Sequence, residues 1–277
     1  MKRTKGPSPW PKHARCAVML TFDLDAESGW MSRDPSIKDR PGVLSQGTYG
    51  AKVAVPRILD LLRSERVPAT FFIPGWVVER HPKACLAIKA AGCEIGHHGY
   101  LHERAEPSDL EGERAGFAKG LKALDGVLGV KPLGYRAPGW DLTRQTLDLV
   151  RGAGMLYSSN LMDDVYPYFH PVRGRPVLEL PVQWTLDDAP FFLFHPRWMN
   201  RPIQSAETVF TMFRDEFSGF HEFGGLYDLT CHPQLIGQPS RLLMLRKLIR
   251  FIKKHPGVWW AQGHEVAEHW LATHRTA

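Results

Sequence analysis

The sequence predicts an α/β protein, a distorted (β/α) barrel with seven or eight parallel strands, and three observations carry that prediction. Short apolar runs alternate with amphipathic stretches nearly end to end, the pattern of β/α units that builds a parallel sheet. Four of these runs, CAVMLTFDLD (16–25), CEIGHHGYLH (93–102), LGYRAPGW (133–140) and GGLYDLTCHP (224–233), carry Asp, His or Arg where the strand would end. In a parallel barrel all strand C-termini open on one face, and that face holds the active site. No Gly-rich phosphate loop follows the first strand, which disfavours an open doubly wound sheet.

The elements follow in order. The first strand leads into a polar, Gly/Pro-containing stretch, 27–50, without clear periodicity. It is too long for an ordinary connection and reads as an inserted loop. Val55, Ile58, Leu59 and Leu62 recur at i, i+3, i+4 and i+7, an amphipathic helix. PATFFIP (68–74) is a strand bounded by prolines, and 79–91 reads as a helix closed by Gly92. The third strand runs into the histidine cluster, and a helix over 110–128 ends at Gly129. LGYRAPG is a strand, and 143–154 a helix with Thr143 as N-cap. MLYSSN (155–160), VLELPVQW (177–184), GGLYDLT (224–230) and VWWAQG (258–263) are strands, with late helices over 207–223 and 240–254.

At 277 residues the chain fits one catalytic domain, 1–277, with an N-terminal arm over 1–15. Hydrophobic content of 43% and charged content of 23% suit a globular protein with a sizeable core. The net charge of +6 is spread along the chain, and its densest stretch, 241–254, reads as the solvated face of a helix. No nucleic-acid motif accompanies it. The N-terminus is basic but Pro-rich and lacks the apolar segment of a signal peptide. No run approaches the roughly eighteen apolar residues of a membrane span. Cys16, Cys85, Cys93 and Cys231 are scattered without metal-type or redox-type pairing, the usage of a reducing compartment. The expectation is a cytoplasmic protein with no membrane or nucleic-acid partner.

TFDLD sets Asp23 and Asp25 two residues apart, so in an extended strand both carboxylates share a face. Two like charges there need a compensating cation or proton. His98 and His102 form an H-x-x-x-H pair, which Gly96 and Gly99 place in a strand-to-turn segment, with His97 the nearest competitor. Alone, such a pair is often two exposed histidines. Beside a DxD at another strand end it gains weight, because one carboxylate and two imidazoles form a common facial set for Zn²⁺ or another divalent ion. Arg136 at a strand end can orient a carboxylate by a charged contact or serve only as a structural ion pair. His232, held extended by Pro233, can donate a proton near neutrality. Cys231 beside it has no dedicated base and is not read as a nucleophile.

In order and spacing, TFDLDAESGW, PATFFIPG, EIGHHGYLHE, GYRAPGW, LPVQWTLDD and LTCHP resemble the polysaccharide deacetylase family, carbohydrate esterase family four. The resemblance runs from Ala17 to Gly263. It is nearest to the branch with intracellular peptidoglycan-deacetylase-like proteins, cyclic imide hydrolases and metal-independent allantoinases. It implies a distorted (β/α) barrel in which Asp23 is the general base, Asp25, His98 and His102 hold one divalent metal (Zn²⁺ foremost), Arg136 pairs with the base, and His232 is the general acid. Leu24 separates carboxylates that are adjacent in extracellular members, which questions a polymer substrate more than the metal. The allantoinase-like branch lacks the second histidine, so His102 argues for a metal-dependent member.

The implied activity is metal-dependent hydrolysis of a non-peptide amide C–N bond, as an N-deacetylase of an N-acetylated sugar or related small amide. The alternatives are ring opening of small cyclic imides or ureides, and a metal- or sugar-binding barrel without turnover. Trp30, Trp140, Pro138 and Gly139 are the expected substrate contacts, with Trp184, Tyr166, Tyr168, Phe191 and Phe192 as further aromatics near loop ends. The 27–50 segment is expected to act as a lid, Trp30 and Met31 giving apolar cover and Ser28 and Ser45 polar contacts, or as a subunit contact in a homo-oligomer (dimer or tetramer). Asp187 and Asp188 either close the site or meet a neighbouring subunit.

Overall fold

The computed structural model describes residues 8–172, 174–196 and 199–274, so the first seven residues of the expected N-terminal arm lie outside the described residues. Among the described residues nine strands form one sheet: β1 (Cys16–Asp23), β2 (Thr70–Ile73), β3 (Glu94–His97), β4 (Gly134–Tyr135), β5 (Tyr157–Ser158), β6 (Tyr168–His170), β7 (Val177–Glu179), β8 (Leu226–Cys231) and β9 (Val258–Trp260). Their order is β6-β7-β5-β4-β3-β2-β1-β8, and β9 pairs with the first half of β1. Every strand pairing is parallel except β6 with β7. Past β7, Asp187 makes a parallel bridge to Thr230 on β8, which draws the two ends of the curled sheet together. This is the distorted barrel expected from the sequence, with β6 as an antiparallel addition.

The chain departs from expectation in three helical regions. The expected 143–154 helix is Thr146–Gly152, with Gln145 rather than Thr143 at its N-cap. The 27–50 segment is not an irregular loop. It holds a short helix (Ser28–Met31), a 3₁₀ turn (Pro35–Asp39) and a helix (Pro41–Tyr49) that passes through a π turn (Gly50–Ala54) into the helix Val55–Glu65. Asp34 accepts from Ser36 N, and a proline opens both the 3₁₀ turn and the helix after it. The expected 79–91 helix is two, Gly75–Arg80 and Pro82–Ala90, because Pro82 removes an N–H that a continuous helix needs.

All eight residues of β1 are buried, as in a sheet covered on both faces. Leu20, Phe22 and Leu24 join the large outer core with Tyr227, Leu229 and Cys231 of β8. The helices Ala206–Phe223 and Pro239–Lys253 pack on each other and close this layer, through Phe213 and Phe217 on one and Leu245, Leu248 and Ile249 on the other. The alternate residues face the barrel interior. Ala17 and Met19 belong to an inner apolar plug with Phe72, Tyr157, Leu178 and Leu226. Above the plug the interior turns polar. Thr21 and Asp23 on β1 are met by Asp228 and Thr230 on β8, with Thr21 opposite Thr230. A period of two therefore carries each strand from plug to polar layer to reactive end, reaching Asp25 and His232. No helix among the described residues is long and apolar enough to cross a membrane.

Candidate active site

The six residues singled out from the sequence for metal and proton chemistry come together at the C-terminal mouth of the barrel. Arg136 follows β4 and is wholly buried, its guanidinium 4.3 Å from the centre of the Phe72 ring. Its Nη1 donates to Asp23 Oδ1 at 3.1 Å, to Thr21 at 2.8 Å and to Thr230 at 3.1 Å. Its Nη2 donates to Asp228 Oδ2 at 2.6 Å and to Ser159 at 2.8 Å. A buried guanidinium is tolerable only when paired and hydrogen-bonded in this way. Asp23 is thereby fixed in orientation.

Asp25 lies just beyond β1, with His98 Nε2 and His102 Nε2 each 3.5 Å from its Oδ1. His98 Nδ1–H donates to the Arg136 carbonyl at 2.6 Å, which leaves Nε2 facing Asp25 as the nitrogen with a free lone pair. His102 sits at φ 61 in the turn after β3, its Nδ1 3.4 Å from Ser32 Oγ. Asp25 Oδ1 is buried without a hydrogen-bond partner. Burial alone would raise the Asp25 pKa, but His102, His98 and His232 hold it well below the usual carboxylate range. Burial brings His102 down to about 3 against the pull of Asp25. One orphaned carboxylate oxygen and two imidazole nitrogens within 4.8 Å of one another fit a divalent cation that accepts oxygen and nitrogen donors.

The competitor His97 takes no part. It is buried against Phe117, with ring centres 4.6 Å apart, and burial lowers its pKa to about 3.

His232 follows β8. Its Nε2 is 3.7 Å from Asp25 Oδ2, while Nδ1 and the backbone N–H donate to Asp188 Oδ1 at 2.7 and 3.0 Å. Asp187 Oδ1 is 3.5 Å from the same Nδ1. Burial opposes protonation, yet Asp187, Asp188 and Asp25 raise the His232 pKa well above the ordinary imidazole value. Asp187 and Asp188, which the sequence left between site and subunit contact, are thus part of the site. Cys231 points into the outer core, and burial raises its thiol far above the usual value, so it is no nucleophile.

The cavity over these groups has a volume of about 180 Å³, with Asp25, His102, Asp187, His232 and Gln234 among the lining residues. Trp30 and Gly139 line it as expected. Trp140 and Pro138 do not. Trp140 lies behind Trp184, with ring centres 4.4 Å apart, and Trp184 forms the wall. Of the expected lid, residues Gly29, Trp30 and Arg33 reach the cavity, whereas Ser28 bonds the Asp25 carbonyl and Ser45 the Gly42 carbonyl. Met31 is not among the lining residues. Tyr166 stacks on Trp10 at the opposite end of the barrel.

Sequence reasoning passed over Asp228, Gln234, Arg33 and Arg104. Asp228 had a readable signal: a charge in an apolar strand, in phase with Thr230 and His232. Gln234, whose Nε2 is 3.4 Å from Asp25 Oδ2, had none.

The sequence profile described as polysaccharide deacetylase matches residues 12–158 of the 277. A peptidoglycan deacetylase of Helicobacter pylori is 30% identical over 281 aligned positions, covering 92% of this chain and 96% of that protein. The crystal structure of a candidate polysaccharide deacetylase from Mycobacterium smegmatis is similar at a TM-score of 0.93 and 41% identity, covering 98% of this chain and 96% of that one. The crystal structure of Puue allantoinase is similar at a TM-score of 0.86 and 26% identity, covering 99% and 96%.

Proposed function

This chain belongs to the polysaccharide deacetylase family, and from that premise we propose that it is a metal-dependent N-deacetylase acting on an N-acetylated sugar. The observation that carries the proposal is the flanking of Asp25 Oδ1, His98 Nε2 and His102 Nε2 by a carboxylate, Asp23, and an imidazole, His232. Asp23 Oδ2 is 4.0 Å from His98 Nε2, and His232 Nε2 is 3.7 Å from Asp25 Oδ2. A site that only binds has no need of such a pair.

Asp25, His98 and His102 would hold the ion, which when bound polarises an amide carbonyl and acidifies a water molecule. The donor set suits Zn²⁺. Asp23, oriented by Arg136, takes the proton of the attacking water. His232 keeps Nδ1 engaged with Asp188, so its free Nε2 is the atom that delivers a proton to the departing nitrogen. Trp184, half exposed at the cavity wall, offers an apolar face to a sugar ring.

A second reading, ring-opening hydrolysis of a small cyclic imide or ureide, draws on the small cavity and on the likeness to an allantoinase. Both reactions add water to an amide-type carbonyl, so the same residues serve either. The test is acetate release from acetylated chitooligosaccharides by the zinc-loaded protein, run beside ring opening of succinimide and allantoin. Acetate release without ring opening supports the deacetylase, and the converse replaces it with the second reading.

A further inference from the structure

Gln234 has no part in the steps above, yet it is buried beside the centre of the chemistry and lines the cavity. It belongs to the short helix Pro233–Ile236, two residues after His232. Its Nε2 donates to Asp25 Oδ2 at 3.4 Å. Oδ1 of the same carboxylate faces the His98 and His102 imidazoles and has no hydrogen-bond partner among the described residues. The two oxygens of Asp25 therefore have different surroundings, a neutral donor at one and two imidazole nitrogens at the other.

The far end of the amide argues that this contact does not serve stability. Gln234 Oε1 is buried with no hydrogen-bond partner among the described residues. It lies toward Gly50, where a Cβ would come 3.2 Å from it. That wall is firm, because the π turn Gly50–Ala54 packs on the helix Pro233–Ile236. Tyr49 donates its hydroxyl to the Gly237 carbonyl at 3.0 Å, and a Cβ at Gly237 would collide with Ala54. Turning the amide over would set Oε1 against the Asp25 carboxylate, acceptor against acceptor. A buried acceptor left unpaired is destabilising, and an apolar side chain of similar length would avoid it.

We propose that Gln234 is a positioning residue for Asp25, engaging Oδ2 so that Oδ1 is turned toward the two imidazoles as the carboxylate oxygen that meets the metal. Being neutral, the amide does this without cancelling the charge that attracts the cation, as a lysine or arginine would. The inference rests on the metal centre of the deacetylase reading and adds to it a residue that orients one ligand.

Zinc affinity and the stability of the metal-free protein, measured on the same variants, test the proposal without recourse to turnover. In Gln234→Met the zinc Kd, read by competition with a chelator, should rise about tenfold or more, the usual loss when a group that orients a ligand is removed. The denaturant midpoint of the metal-free protein should stay at or above the wild-type value, because the lost contact is long and the unpaired acceptor goes with it. Gln234→Leu should repeat both results. An unchanged zinc Kd in both variants overturns the proposal and leaves the metal centre standing. A lower metal-free midpoint in both also overturns it, since Gln234 would then be a structural residue. Wild-type protein that binds no zinc removes the metal centre and this proposal together.

Discussion

Arg136 Nη2 and Asp228 Oδ2 lie 2.6 Å apart inside the barrel, both side chains sealed from solvent. Arg136 spends its other terminal nitrogen on Asp23, so Asp228 anchors the arginine that orients the proposed base. Asp228→Ala leaves a buried guanidinium with one carboxylate in place of two. Removing one partner of a buried pair costs about 3–5 kcal/mol, to be seen as a lower midpoint in denaturant unfolding. In whatever folded fraction remains, kcat should fall by a larger factor than KM rises. Wild-type stability in this variant would show that the pair does not anchor Arg136.

The His232–Asp188 contact predicts a pH profile. A raised His232 pKa keeps the acid form populated above the ordinary imidazole range, so the alkaline limb of kcat/KM lies there. Asp188→Asn keeps an oxygen for Nδ1 but removes the charge. The limb should then move to lower pH by about one unit or more. An unmoved limb would assign it to another group.

Asp23→Asn should retain bound metal and the fold while kcat drops about 10²–10⁴-fold, the usual contribution of a positioned acid or base. Metal analysis and acetate release on the same preparation check both halves. Near-normal turnover would free Asp23 of the role.

The 27–50 segment is pinned rather than mobile: Glu27 bonds Thr48 at 2.8 Å and His81 at 2.7 Å, and a Cβ at Gly47 would collide with the Ala26 carbonyl. Gly47→Ala must therefore push the segment outward. The expected cost is about 1–3 kcal/mol, with a raised KM because Trp30 and Arg33 shift with it. Thermal unfolding and steady-state kinetics test this, and unchanged values in both would mean that the segment does not shape the cavity.

The barrel and three of the candidate site residues, Asp23, Asp25 and His232, were legible because they obey a simple period; His98, His102 and Arg136 were legible only as polar residues at strand ends. β1 and β8 bury alternate residues on opposite sides, and each polar side chain falls in phase with the next, Thr21 and Asp23 on β1 with Asp25 just past it, and Asp228 and Thr230 on β8 with His232 just past it. The helix Pro41–Tyr49 was hidden because it buries Gly47, followed by Gly50, Ala51 and Ala54 in the π turn, small residues that leave no apolar stripe to read. Strand β6 was hidden because its three residues are only half-buried and pair antiparallel at the sheet edge. Arg33 and Arg104 both line the cavity but stand far apart in the chain and outside any motif, so only the folded barrel brings them together.

Metal content and acetate release, followed together as divalent metal is stripped by a chelator and zinc is added back, test the account most directly. The account predicts that activity on an N-acetylated sugar vanishes with the metal and returns in proportion to one divalent ion per chain. His102→Ala, with its fold checked by circular dichroism, should neither bind that ion tightly nor regain activity. Full acetate release from the metal-free protein, or full metal occupancy in His102→Ala, would contradict the assignment of Asp25, His98 and His102 as the centre of the chemistry.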